Sequence, residues 1–201
     1  MKYWTEYTGH DPQCIKKIDN TIYTFDIEST SYLILDNQIL PANTYEELDK
    51  KDKDRSIKQS TMYIWQLSIN ADVYYGRTWN ELSQFLTLIE SYSPKKKIIF
   101  VHNLSFEFQF LRTQFKIKSV TSRKSRKVMQ AELEDFNITF RCSLYMTNCS
   151  LEHLPKLYNL PVDKKVGDLD YTKLRHSKTE LTEKELGYCE YDCLVVYEYI
   201  K

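Results

Sequence analysis

Glycine and proline are scarce, four and five residues in a chain of 201, which argues against low-complexity sequence and against disorder over more than short stretches. The five cysteines (Cys14, Cys142, Cys149, Cys189 and Cys193) contain no CxxC pair and are odd in number, so neither a zinc site nor a disulfide framework is expected and all five read as free thiols. Long hydrophobic runs are missing too. No stretch approaches the roughly 18 apolar residues of a membrane span, and the start Met1-Lys2-Tyr3-Trp4 has no signal-peptide core, so the sequence reads as a soluble, intracellular chain without membrane contact. Net charge is absent, 28 basic residues balancing 28 acidic ones, and gives no global indication of a nucleic-acid partner. What the chain does have is apolar and aromatic weight: 42% hydrophobic residues, 14% aromatic and 16 tyrosines. At this length that suffices for one domain whose core needs no staples.

The stretch Tyr23-Thr24-Phe25-Asp26-Ile27-Glu28-Ser29-Thr30 reads as a β-strand carrying two carboxylates one residue apart. Period-two alternation puts Asp26 and Glu28 on one face and turns Phe25 and Ile27 to the other. Like charges held together near a buried strand end call for a cation, because unpaired buried carboxylates are costly. Alone, Asp-x-Glu is more often a surface or hairpin feature, and what lies downstream decides.

Residues 1–20 are polar and mixed and read as an N-terminal arm, leaving residues 21–201 as the domain. A second strand is expected at Tyr32-Leu33-Ile34-Leu35, a solvated loop or exposed helix over residues 43–59, and a hairpin from residues 61–69 and 72–76 about an Asn70-Ala71 turn. Thr78-x-x-Glu81 has the form of a capping box, and Leu82, Phe85, Leu86, Leu88 and Ile89 follow at helical spacing, predicting a helix over residues 79–92. Ile98-Ile99-Phe100-Val101 is the continuous apolar run of a strand buried on both faces. The order strand, helix, strand predicts a crossover unit in a mixed α/β sheet. His102-Asn103 ends that strand, and an apolar helix is expected from Leu104, with Glu107 its conspicuous acid.

Residues 116–127 hold Lys116, Lys118, Arg123, Lys124, Arg126 and Lys127 against no acid, a basic hairpin region that is either a solvated face or a charge distribution suited to phosphates. Strands are expected at residues 128–131 and 137–140, a short helix at 150–157 and an irregular stretch at 161–171. Thr182-x-x-Glu185 is a second capping box, launching a helix through Tyr188, Asp192, Val195, Val196 and Tyr199. Tyr188 and Asp192, four residues apart, share a face of it.

Three acid-bearing segments thus stand apart in sequence, and together they could hold two cations. Their pattern resembles the exonuclease motifs of family B DNA polymerases: Asp-x-Glu (Asp26, Glu28), Asn-x-x-Phe-acid (Asn103, Phe106, Glu107) and Tyr-x-x-x-Asp (Tyr188, Asp192). Through His102-Asn103-Leu104-Ser105-Phe106 and Gly167-Asp168-Leu169-Asp170-Tyr171, the likeness extends to the protein-primed polymerases of bacteriophages. The resemblance implies a ribonuclease-H-like 3′→5′ exonuclease fold, a mixed central sheet flanked by helices. It implies proofreading of single-stranded or frayed DNA with two divalent cations, Mg²⁺ or Mn²⁺. Asp26, Glu28 and Asp192 would hold one ion, Asp26 and Glu107 would place the second, and Tyr188 would position the attacking water.

By the same resemblance, Ser29, Asn103 and Phe106 contact the 3′ end of the strand, and Ser143 with Leu144 forms a further single-strand-binding pair, core packing being the alternative for Phe106 and Leu144. His102 stands among these residues as a strand-end hydrogen-bonding group. The resemblance also implies a catalytic lysine, for which Lys164 or Lys165 could serve only with a one-residue offset, since Val166 occupies the matching place. Implied partners are a polymerase palm domain, for which this chain has no room, and a terminal protein, in host cytoplasm during phage infection. One departure bears on activity: the second motif usually ends in Asp, and here it ends in Glu107. The alternatives are a silent single-strand-binding module on this fold and a related nuclease acting on RNA.

Overall fold

The structure is a computed structural model that describes residues 1–11, 14–15, 17–162 and 169–201, with only the backbone of Cys14–Ile15 described. Its strands are β1 (Lys2–Tyr3), β2 (Cys14–Ile15), β3 (Ile18–Leu35), β4 (Gln38–Pro41), β5 (Ile57–Ile69), β6 (Asp72–Gly76), β7 (Lys96–Val101), β8 (Ile117–Ser122), β9 (Val128–Leu133) and β10 (Ile138–Cys142). The α-helices are α1 (Lys50–Arg55), α2 (Trp79–Tyr92), α3 (Glu107–Gln114), α4 (Leu144–Thr147), α5 (Leu154–Tyr158) and α6 (Glu183–Ile200). The strands form one mixed sheet in the order β1-β6-β5-β3-β7-β10-β9-β8, with β2 and β4 also paired to β3. β7 runs parallel to both β3 and β10, as the crossover through α2 requires, whereas β5 is antiparallel to β3.

β3 lies at the centre and carries both faces of the protein. Tyr23, Phe25 and Ile27 join the core under α2, which contributes Leu82, Phe85, Leu86 and Ile89. Thr24, on the other face, donates its hydroxyl to Cys193 O of α6 at 3.1 Å. The expected capping boxes are present at both helix starts, Thr78 with Glu81 and Thr182 with Glu185. Glycine is needed at Gly76, where a Cβ would stand 2.4 Å from the Trp65 ring.

Several expectations from sequence are corrected. The segment at residues 32–35 is the continuation of β3, which runs unbroken for 18 residues because Ser29-Thr30-Ser31 stays paired with β5. β5 starts at Ile57, four residues before the expected hairpin arm, while the charged segment before it does hold an exposed helix, α1. Helix α3 starts at Glu107 instead of Leu104, because Asn103 is left-handed (φ 63°) and closes a turn whose Asn103 O accepts from Phe106 N. The basic region is the tip and first strand of a hairpin, β8 with β9, as expected, whereas the short helix expected at 150–157 is α5, starting only at Leu154, and α4 is a further short helix at Leu144–Thr147. Cys142, Cys149, Cys189 and Cys193 form no disulfide. Among the described residues no helix is long and apolar enough to cross a membrane.

The N-terminal residues pack on the sheet. Tyr7 meets Tyr74, Phe85 and Tyr92 edge-on, and His10 is held between the hydroxyls of Tyr7 and Tyr23. Tyr23 donates to Asp19 at 2.9 Å, which fixes its own oxygen as acceptor for His10 Nε2–H and leaves His10 Nδ1 to accept from Tyr7. Burial lowers the His10 pKa below its usual value, against the opposing pull of the Asp19 charge. Because the folded pKa is depressed, the stability that neutral His10 contributes is complete above about pH 6.5 and is lost as pH falls through the folded value. Thermal melts between about pH 7 and 5 should show a fall in midpoint that flattens in His10→Asn. Parallel profiles for parent and variant would contradict this role of His10.

Candidate nuclease site

The face of β3 that meets α6 presents Asp26 and Glu28, and α6 presents Asp192 to them. One ligand atom from each of these three carboxylates lies within 4.8 Å of the others. Glu28 and Asp192 are buried, and Asp26 is half-buried. A β-bulge gives the strand this aim: Glu28 pairs with Ile64 but Ser29 with Met62, so Tyr63 is the extra residue of β5. The bulge brings Tyr63 to the α6 side, where it packs with Ile64, Leu169, Tyr188 and Cys189.

The three acids open into a cleft of about 440 Å³ whose walls also include Ser29, His102, Phe106, Glu107, Tyr171 and Tyr188. Glu107 is 3% exposed, and among the described residues its Oε2 has no hydrogen-bond partner. Burial pushes the Glu107 carboxyl well above the usual carboxylate range; a bond from its own backbone opposes this and the charge of Glu28 adds to it. Asp26, Glu28 and Asp192 form a donor set of the hard-oxygen kind that could hold a divalent ion, and Glu107 lies in the same cleft. Burial likewise raises the Tyr188 phenol, and the charges of Asp192, Glu28 and Asp26 raise it further, so its hydroxyl stays protonated as a donor.

The remaining sequence candidates divide by position. Phe106 lines the cleft with its ring 44% exposed. Asn103 is an exposed turn residue outside the cleft wall, and its left-handed backbone accounts for its residue type. Ser143 is buried and bonded to His102 Nδ1 at 3.0 Å, behind the wall that His102 provides. Leu144 lines a neighbouring cavity. Lys164 and Lys165 lie outside the described residues, as do Val166, Gly167 and Asp168.

Sequence reasoning assigned no role to Tyr171, yet its hydroxyl lies 3.4 Å from that of Tyr188 and its ring is 62% exposed at the cleft. The only signal was its place at the end of the Gly167–Tyr171 segment. Behind it stands Arg175, 4% exposed, whose guanidinium donates to Asp170 O (2.5 Å) and Glu185 Oε1 (2.6 Å) and lies 5.7 Å from the Tyr63 ring centre. Arg77 reaches the same segment from the other side, donating to Tyr63 O, His176 O and Thr179 O. Two arginines therefore lace the segment bearing Tyr171 to the bulged strand and to the start of α6.

No family model and no curated protein matches the sequence. Solved structures do. Phi29 DNA polymerase complexed with single-stranded DNA is similar at a TM-score of 0.62 and 16% identity, over 90% of this chain and 30% of that one. The same polymerase with primer-template DNA and incoming nucleotides gives 0.62 and 15%, and its orthorhombic crystal form 0.61 and 14%, with the same coverage. The fold is that of the exonuclease region of phi29 DNA polymerase. The chain spans about 30% of the length of the phi29 polymerase structures it matches.

The arginine lace is open to test by melting. Arg175→Met takes the guanidinium donor from Glu185 Oε1 and the Asp170 carbonyl, a loss of about 3 to 5 kcal/mol, which for a domain of this size lowers the midpoint by about 10 °C. Arg175→Lys, which keeps the charge but not the fork, should fall between. An Arg175→Met midpoint within about 1 °C of the parent would show that the lace does not hold the segment.

Proposed function

We propose that the chain is the 3′→5′ exonuclease domain of a protein-primed family B DNA polymerase, trimming the 3′ end of single-stranded or frayed DNA. The observation that carries this reading is the meeting of Asp26, Glu28, Glu107 and Asp192 in one cleft of a phi29-polymerase-like fold. Asp26, Glu28 and Asp192 would hold one divalent cation, and Asp26 with Glu107 the other. When bound, such a pair supplies an activated water and neutralises charge at the phosphorus in line with it.

The chain's own side chains do the rest. Tyr188 donates its hydroxyl hydrogen bond to orient the water, and it is not the base, because its phenol stays protonated. Phe106 offers an exposed ring on which a terminal base of any identity can stack, worth about 1 to 3 kcal/mol. Tyr171 closes the opposite side of the cleft, and Ser29 and His102 supply polar contacts along it. Lys164 or Lys165 would add the catalytic lysine. A palm domain and a terminal protein as partners, and host cytoplasm as location, belong to the same proposal.

Glu107 favours one second reading, a silent strand-binding module. Its longer side chain must reach the second ion with a small backbone setback or through water, since metal–oxygen distances tolerate only about 0.2 Å. A time course on a 3′-labelled oligonucleotide with Mn²⁺ separates the two. The parent should release mononucleotides, Asp26→Ala and Asp192→Ala should abolish release without unfolding, and Tyr188→Phe should lose less. Glu107→Asp should stay within about tenfold, or roughly 1.4 kcal/mol of barrier. A parent that binds the strand and never shortens it, while Glu107→Asp does, would establish the silent module.

A further inference from the structure

Past the bulge, β5 turns three residues toward α6: Ile64, Gln66 and Ser68. Ile64 packs with Cys189, and Ser68 Oγ lies 2.6 Å from Thr24 Oγ1, which itself donates to α6. Gln66 is 0% exposed, and neither its Oε1 nor its Nε2 has a hydrogen-bond partner of ordinary geometry among the described residues. Its polar neighbour is the Cys189 thiol, a weak donor and a weak acceptor.

Gln66 stands directly across the β3–β5 ladder from Asp26, on the same face of the sheet. Opposed residues of an antiparallel pair hold their Cβ atoms about 4.5 to 5.5 Å apart, a gap that a glutamine side chain spans. Cys189 comes to the same place from α6, three residues before Asp192 and so on its face of the helix. The amide therefore lies beneath the acids, buried from solvent. A buried amide with no full partner carries a cost that an apolar side chain of the same shape would remove. Such costs persist at functional sites, where the group is needed.

We propose that Gln66 is a positioning residue for Asp26, its amide Nε2–H donating to the carboxylate and holding it in the orientation that serves the cations. The inference rests on the exonuclease reading, in which Asp26 is shared by both ions, and adds the group that aims it. An amide suits the task because it donates without carrying charge. It satisfies a carboxylate oxygen and, unlike a lysine, does not compete with a cation for the acids. A hydrogen-bond partner behind a ligating side chain is worth about 10- to 100-fold in metal affinity. The rival role, a bond to Cys189 alone, would make Gln66 a packing residue.

The test is calorimetric titration of Mn²⁺ into the chain without DNA, with thermal melting in chelator and trimming of a labelled oligothymidylate over a Mn²⁺ series. Gln66→Met keeps the shape and removes the polar atoms. It should raise the midpoint in chelator by about 2 °C or more and weaken Mn²⁺ binding at least about tenfold. The Mn²⁺ concentration for half-maximal trimming should rise by the same factor, with KM for the strand within about twofold of the parent. Cys189→Ala, which removes the thiol and leaves the amide, should keep Mn²⁺ affinity within about twofold. A Gln66→Met chain that melts below the parent in chelator, or that keeps the parent's Mn²⁺ affinity, shows a packing residue and overturns the inference. The ion is read without a strand, so the two readings fail separately. A parent that takes up Mn²⁺ and trims nothing removes the exonuclease reading and leaves Gln66 to stand on the affinities, whereas a parent that takes up no Mn²⁺ overturns both.

Discussion

The structure depends on holding like charges together. Asp26, Glu28 and Asp192 come within 4.8 Å of one another, with buried Glu107 beside Glu28, and mutual repulsion in such a place costs on the order of a few kcal/mol. Such an arrangement persists only where surrounding packing over-determines it. Here the packing is heavy. β3 is paired along its length and buried under α2 on one face and α6 on the other, so neither Asp26 nor Glu28 can turn aside without moving the centre of the sheet.

The elements around the acids serve that constraint. The bulge at Tyr63 lets β5 follow β3 past Glu28 while sending an aromatic ring beneath the site. Arg175 and Arg77 fasten the segment that carries Tyr171, and the Thr182 capping box fixes where α6 begins, hence how far along it Tyr188 and Asp192 fall. Glu107 reaches the same cleft from a third direction because Asn103 in its left-handed turn ends β7 abruptly and starts α3 within four residues.

Local signals in the sequence were enough for much of this. Alternation at Asp26 and Glu28, both capping boxes and the apolar run of β7 each depend on a few neighbouring residues, and each corresponds to an element found. What escaped depends on distant partners. Ser29-Thr30-Ser31 suggests a break, yet pairing with β5 carries the strand through it. Tyr63 becomes a bulge only because of its register against Glu28, and Tyr171 becomes part of the cleft only through two arginines, one 94 residues before it and one 4 after. Asn103 is a case where a motif residue carries a conformational reason of its own.

The central claim is that the acids are a cation site held in a repelling arrangement, and thermal melting with and without Mn²⁺ tests it most directly. In chelator Asp192→Asn should melt above the parent, since one of the repelling charges is gone, while saturating Mn²⁺ should raise the parent by about 5 to 10 °C and leave the variant nearly unchanged. A parent whose midpoint ignores Mn²⁺, together with an Asp192→Asn variant no more stable than the parent in chelator, would contradict the account.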